Sequence, residues 1–372
     1  MLEYQGKYAS CIVYTDAIEE EAVAQIYAYL NCPASEGTHP RFMPDIHAGK
    51  GCVIGFTAGL TDKIIPNLIG VDIGCGVLSI NLGNIDIDFQ QIDDFIREKI
   101  PSGCRINQTS KMSSYIKKQV ELIVENTVAK TGQDLDYVIG SMGSLGGGNH
   151  YWEIGIDEEE NKWLTVHSGS RNFGLKIALY HQRIAKEKNP FGDLSWLEKE
   201  DAVSYISDMK IAQIFAAENR YQMIRKIIAE VIPVKHNNNQ PPIIESVHNY
   251  INFEDNTIRK GAISAQKDQY CVIPWNMRDG MIIGKGKGNP DWNYSAPHGA
   301  GRVMGRNQAK RTLSLEGFTE EMKGIWTSSV GLSTLDEAPG AYKDHNEIEK
   351  YLSETVEIVH RVKPLYNFKS SE

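Results

Sequence analysis

Between residues 66 and 77 the chain places a carboxylate, Asp72, and a thiol, Cys75, three residues apart among Gly70, Gly74 and Gly76. Glycine tolerates backbone conformations and close approaches that a Cβ forbids, so this turn can aim both side chains at one point. A hard oxygen and a soft sulfur together suit borderline divalent ions such as Mn²⁺, Fe²⁺, Co²⁺ and Zn²⁺, and the thiolate can bridge two of them. The same turn could instead bury a structural thiol and cap itself with Asp72, since free cysteines are commonly buried. Four histidines bear on that choice: His150, His167, His248 and His298 each stand at a predicted strand end or in a glycine-rich turn. Catalytic groups are usually gathered in this way, from distant parts of a chain. With Asp72 and Cys75 they supply enough ligands for two adjacent metals that polarise phosphoryl oxygens. Asp45 and His47 flank one residue, so an extended segment would point them the same way.

The elements that must hold these groups read as a mixture of helices and strands, an α+β pattern. A strand is predicted over 7–14. Asp16 and Glu19 have capping-box spacing for a helix running to about residue 30. A strand over 52–58 precedes the Asp72 turn, which Leu68, Ile69 and Val71 approach as a short strand, and another follows over 77–82. Helices are expected over 88–99 and 112–129. The glycine run 143–148 ends on Asn149 and His150, with Glu153 beyond. Such a run either brings backbone N–H groups to phosphate oxygens or is a simple turn, and it matches no standard phosphate-loop motif. A strand over 163–166 delivers His167. Asn172 then N-caps a helix to about residue 188, with Arg171 forming an oxyanion site at its start. Over 201–231, Ile214, Ala217, Tyr221, Ile224 and Ile228 give one apolar stripe of a core helix. The Pro/Asn-rich stretch 233–242 is a surface loop, because candidate site residues lie on both sides of it. A strand over 269–273 follows. The basic, glycine-rich segment 284–288 is either a phosphate or RNA contact or a solvated turn. His298 is expected to open a helix carrying Arg306, Lys310 and Arg311, a good place for a phosphorylated group. A last helix is predicted over 346–360.

Composition bounds the answer. The 372 residues can form one large domain or two. A net charge of −9 argues against a broad electrostatic nucleic-acid binder, though not against a local basic groove. No apolar run approaches bilayer length and no signal peptide is evident. The expectation is a cytoplasmic protein with no membrane association and with cysteines mostly reduced.

Several motifs, in order along the chain, resemble those of the RtcB family. They are Val71-Asp72-Ile73-Gly74-Cys75-Gly76, Gly148-Asn149-His150, His167-Ser168-Gly169-Ser170-Arg171, His248-Asn249, Arg259-Lys260-Gly261-Ala262 and His298-Gly299-Ala300-Gly301-Arg302. The segments 43–47 and 336–344 also match, and the likeness runs from about residue 43 to 369. The resemblance implies a single α+β ligase domain over 1–372, with mixed sheets and surrounding helices around a dinuclear metal cleft. It implies a GTP- and Mn²⁺-dependent RNA ligase that joins 3′-phosphate or 2′,3′-cyclic phosphate ends to 5′-hydroxyl ends. Cys75 would bridge two Mn²⁺ ions, one also held by Asp72 and His150, the other by His167 and His248. His298 would be the nucleophile that becomes guanylylated, with Asp45 near the departing pyrophosphate. Asn149, Glu153, His248, Asn249, Pro274, Asn276, His298, Gly299, Ala300, Gly301 and Lys369 would contact the nucleotide. Arg171, Arg302 and Arg306 would face RNA phosphates. The partners implied are RNA with broken ends and an archease-type activator.

The chain departs from the family at Trp275-Asn276, where a Gly-Ser pair is usual, and at Met281, near a second nucleotide-contacting serine. Asn276 can still donate or accept, whereas methionine cannot replace a serine donor. The chain is short for the family, which suggests a divergent bacterial paralogue for RNA repair or tRNA splicing. Two rivals remain at this point: a metal-dependent phosphoesterase acting on RNA 3′ ends, and a non-catalytic RNA-end-binding protein. Retention of both His298 and Lys369 speaks against the first, and an intact ligand set against the second.

Overall fold

A computed structural model describes residues 1–232 and 243–370. Two large sheets dominate an α+β architecture. The six-stranded sheet runs, in spatial order, Leu2–Gln5, Ser10–Val13, Arg41–His47, Ile54–Gly59, Thr257–Lys260 and Asn249–Asn252. It is mixed, because Ser10–Val13 and Arg41–His47 pair in parallel while their neighbours are antiparallel. The seven-stranded sheet runs Tyr270–Pro274, Met281–Gly286, Val356–Lys369, Tyr151–Ile156, Lys162–Ser168, Gly76–Gly83 and Ile243–Val247, and its pairings are antiparallel. A two-stranded ribbon, Ala262–Ser264 with Ser295–Pro297, leads directly to His298.

Helices cover one face of each sheet. Ser114–Thr131 and Arg171–Lys188 pack through Val124, Val128 and Ile177 into a cluster shared with Phe42 and Phe56 of the first sheet. Phe89–Lys99 packs Ile92 and Ile96 against Leu78, Trp152 and Tyr366 of the second. The 32-residue helix Lys199–Glu230, about 48 Å long, enters both clusters, Tyr205 and Met209 joining the first and Met223 and Ile227 the second.

Several predicted elements appear where local pattern placed them, including Phe89–Lys99 with Asp88 as N-cap, Ser114–Thr131 and the strands flanking the Asp72 turn. Others need correction. The first strand is a hairpin, Leu2–Gln5 with Ser10–Val13. Glu19 caps its helix without a side-chain bond, and Asp16 pairs with the chain's amino terminus. Residues 66–68 are a 3₁₀ turn begun by Pro66, not a strand. Helix Arg171–Lys188 starts two residues early, with Ser170 as N-cap. Leu135–Ser141 is an additional helix. His298 does not open a helix, which begins only at Arg306. The last helix stops at Leu352, and Val356–Lys369 is a strand because it pairs with both Met281–Gly286 and Tyr151–Ile156. Lys285 lies in a strand beside Asp268, and Lys287 donates to the Ser353 carbonyl. On the long helix the predicted stripe holds in its second half, where Ile224 is buried and Tyr221 and Ile228 pack against the same cluster, and fails in its first. Ile214 is exposed, and Ala216, Asn219, Arg220 and Met223 face inward. The predicted loop 233–242 lies outside the described residues.

Candidate active site

Strand ends and turns bring Asp72, Cys75, His150, His167 and His248 to one place. Cys75 Sγ lies 3.2 Å from His167 Nε2 and 3.5 Å from His150 Nε2. His150 Nε2 is 3.0 Å from Asp72 Oδ2, and His167 Nε2 is 3.3 Å from His248 Nε2. Asp72 fits because residue 169 is glycine: a Cβ there would lie 2.3 Å from Asp72 Oδ1, which accepts instead from the Ser170 amide. Two imidazoles have their tautomer set by backbone carbonyls. His150 Nδ1 donates to Leu145 O at 2.9 Å and His167 Nδ1 to Asn149 O at 3.1 Å. Their Nε2 atoms therefore present lone pairs toward one sulfur. Burial, then neighbouring histidines, hold His167 and His248 well below the usual imidazole range, so both rings are neutral and keep a lone pair that could bind a cation. Burial and the Asp72 charge push the Cys75 thiol well up. Burial opposes ionisation of Asp72, but the hydrogen bond and charge of His150, with Arg171, outweigh it and hold the carboxyl at about 2. The Cys75 thiol can give its one proton to a single neighbour, so the remaining acceptors face one another, an arrangement that a cation relieves. Cys75, His150 and His167 have their ligand atoms within 4.8 Å of one another and could hold a metal ion, and carbonyl-oriented imidazoles are what metal sites use.

The His248 and His298 rings lie 5.0 Å apart. His298 Nδ1 is 2.6 Å from Oδ2 of Asp45, a fully buried carboxylate that also accepts from the His298 amide. This fixes the proton on Nδ1 and leaves the Nε2 lone pair free. Asp45 and His47 do share a side of their strand, and His47 lines the cavity beside His298. That cavity, about 230 Å³, is bordered by Asn149, Glu153, His248, Pro274, Asn276, His298, Gly299, Ala300, Gly301 and Lys369, so most of the predicted nucleotide contacts share one space. Burial raises Glu153 to about 8, with Lys369 pulling the other way. Lys369 Nζ pairs with Glu337 Oε2 at 2.9 Å. Burial opposes ionisation of Glu337, but Lys369 and Arg306 outweigh it and hold the carboxyl at about 2.

A second cavity, about 540 Å³, lies on the Asp72–His150 side and is lined by Arg105, Arg171 and Arg306. The glycine run borders it by making room for guanidinium groups. A Cβ on Gly146, whose φ is +91°, would lie 1.8 Å from Arg171 Nη1, and one on Gly148 would lie 2.7 Å from Arg306 Nη1. Arg306 borders both cavities.

Residues 29–370 match the family model for the tRNA-splicing ligase RtcB. The chain belongs to the RtcB family. It is 30% identical to the RNA-splicing ligase RtcB of Escherichia coli K12, over 87% of this chain and 88% of that protein. It is 26% identical to an Escherichia coli RNA-splicing ligase RtcB2, over 98% of each. With the tRNA-splicing ligase RtcB of Thermococcus kodakarensis the identity is also 26%, over 87% and 86%. No helix among the described residues is long and apolar enough to cross a membrane.

Against the RtcB pattern, some positions sit differently from expectation. Asn249 does not line the nucleotide-sized cavity. Its Oδ1 accepts from Gly261 N and its Nδ2 donates to Asp72 O, tying the ligand turn to the neighbouring sheet. Asn276 borders the cavity, but its Oδ1 accepts from the Arg278 and Asp279 amides and its Nδ2 donates to Asp279. Met281 is buried in the core with Val77 and Trp163, behind the cavity wall, and does not itself line the cavity. Arg302 is directed inward to Glu337, Asp336 O and Met304 O, against the Tyr342 ring. Sequence reasoning gave no role to Glu337, although it gathers Lys369, Arg302, Arg306 and Tyr342. It also overlooked Lys260, whose buried ammonium donates to the carbonyls of Lys50, Cys52 and Asn67 at 2.9–3.0 Å. The matched segments 336–344 and 259–262 held the only signal for these two.

Proposed function

We propose that this protein, as one ligase domain, joins RNA 3′-phosphate or 2′,3′-cyclic phosphate ends to 5′-hydroxyl ends using GTP and Mn²⁺, in RNA repair or tRNA splicing. One observation carries the reading: His298 has Nδ1 committed to buried Asp45 and Nε2 free, between a nucleotide-sized cavity and the Cys75–histidine cluster. Two Mn²⁺ ions, one at Asp72, Cys75 and His150 and one at Cys75, His167 and His248, would supply positive charge to phosphoryl oxygens.

In the proposed sequence, His298 Nε2 attacks the α-phosphorus of GTP. A P–N bond forms, the P–O bond to pyrophosphate breaks, and Asp45 stabilises the positive charge that the ring gains. An oxygen of the RNA 3′-phosphate then attacks the same phosphorus, the P–N bond breaks, and neutral His298 returns. The RNA 5′-hydroxyl finally attacks the RNA 3′-phosphorus, gives its proton to solvent and expels GMP. A 2′,3′-cyclic end is first hydrolysed, water oxygen bonding to phosphorus as the P–O2′ bond breaks and O2′ takes the proton. Glu153, Asn149 and Lys369 would hold the nucleotide, with Lys369 kept in place by Glu337. Arg171 and Arg306 would receive RNA phosphates, as bidentate guanidinium groups do.

The test is incubation with α-³²P-GTP and Mn²⁺ followed by denaturing electrophoresis. Label on the wild type that disappears in His298→Ala is the expected result. An unlabelled, metal-loaded wild type, with an archease-type activator also added, would favour a phosphoesterase or an RNA-end-binding protein.

A further inference from the structure

Asn219 and Arg220 are consecutive, fully buried polar residues in the long helix Lys199–Glu230. Apolar contacts fix that helix on both sides of them, Phe215 in one core and Met223 in the other. Arg220 Nη1 donates to Gly74 O and Ser168 O, both at 2.7 Å. These carbonyls belong to the residues next to Cys75 and His167. Its Nε and Nη2 bind Glu245 Oε1 at 2.9 and 2.8 Å, on the strand that ends just before His248. Asn219 Oδ1 accepts from the amides of Gly143 and Ser144 at 2.7 and 3.1 Å, at the start of the segment that carries His150. Its Nδ2 lies 3.0–3.2 Å from Ser144 O, Gly169 O and Ser168 Oγ. Ser168 Oγ in turn donates to Leu145 O, the carbonyl that orients His150.

We propose that Asn219 and Arg220 are positioning residues of the metal centre. From one turn of a rigid helix they fasten the separate backbone segments that present Cys75, His150, His167 and His248, so the ligand atoms converge before a cation arrives. The proposal rests on the metal reading of that cluster. Metal sites tolerate only a few tenths of an ångström in ligand distance, and loss of an outer-shell partner typically costs 10–100-fold in affinity. A guanidinium serves several acceptors in a fixed fork, which an ammonium cannot copy. Arg259 supplies the contrast. It is equally buried but binds Ser295 Oγ, Asp255 and the carbonyls of Asn293 and Tyr294, none beside those ligands.

The experiment is Co²⁺ titration of the full-length chain, read by the thiolate-to-cobalt charge-transfer absorption, with melting temperature and near-ultraviolet circular dichroism as fold controls. Wild type should develop the band. Arg220→Lys and Asn219→Ala should bind Co²⁺ about 10–100-fold more weakly, whereas Arg259→Lys should keep wild-type affinity despite losing thermal stability. Should Arg220→Lys fail to fold, Asn219→Ala decides alone. Wild-type affinity in the folded Asn219 and Arg220 variants would overturn the proposal, as would an equal loss in Arg259→Lys. A wild type with no band would instead overturn the metal reading beneath it.

Discussion

Among the described residues, the buried imidazole and carboxylate groups at the Asp72 turn and in the helical layer are built on opposite logic. At the Asp72 turn, His150, His167 and Cys75 present acceptor atoms to one another, with their spare N–H groups given to carbonyls. In the helical layer, His181 Nε2 meets Asp208 Oδ2 at 2.7 Å, and Lys130 and Thr127 complete the surroundings of that carboxylate. Burial opposes the charge on Asp208, but His181 and Lys130 outweigh it and hold its pKa below the usual carboxylate value. There, donors converge on an acceptor and the charge is balanced within the protein. His181 commits its Nε2 to a carboxylate inside the protein and leaves Nδ1 without a partner, whereas His150 and His167 bond carbonyls through Nδ1 and turn Nε2 toward a common centre. His298 combines both features, closed by Asp45 on one nitrogen and open on the other.

The contrast is most sharply tested at Asp45. Asp45→Asn cannot hold the Nδ1–H tautomer as a carboxylate does, so histidine guanylylation should slow by about 10³–10⁴-fold while bound metal, read by elemental analysis, stays at the wild-type level. Parallel loss of metal would show that the two nitrogens of His298 do not serve separate regions. Next comes the helical cluster. His181→Ala leaves Asp208 short of a partner and should lower unfolding free energy by about 3 kcal/mol in a denaturant titration, without changing metal content. A drop in metal there would erase the distinction between the clusters. A comparable stability loss, about 2–3 kcal/mol, is expected for Lys260→Met, which strands three carbonyls.

The smallest effect concerns Glu153. Its folded pKa, about 8, lies above the ordinary carboxyl value of 4.5. Its contribution to stability is therefore fully present below about pH 4.5 and is lost as pH rises to 8. Glu153→Gln should raise the melting temperature of the nucleotide-free protein, with the gain growing from pH 5 to pH 8. A pH-independent difference would mean that Glu153 ionises freely in the empty cavity.

Residue types and spacing singled out Asp72, Cys75 and the four histidines before any coordinates, and the structure brings them together, whereas the ligand and nucleophile roles proposed for them came from the family resemblance. A thiol and a carboxylate among glycines, and histidines at strand ends, are unusual enough locally to be noticed. The misread elements were those whose local signal was weak or was overridden by distant partners. Residues 356–360 look helical alone but extend because the strand Met281–Gly286 accepts them and Tyr151–Ile156 continues the pairing from Lys363. Asn219 and Arg220 were passed over because a polar residue in a helix normally faces water, and only the loops packed beside that helix make them buried donors and acceptors. Lys260, within a matched motif, had no visible task until three carbonyls from separate segments surrounded it.

The sequence by itself determined which atoms can bind a cation or attack phosphorus, because donor type and nucleophilicity belong to the side chain. Only the tertiary structure decided which nitrogen of each imidazole is free, which carboxylates are ionised and which arginines point inward. Those properties come from carbonyls, amides and charges contributed by segments tens to hundreds of residues away.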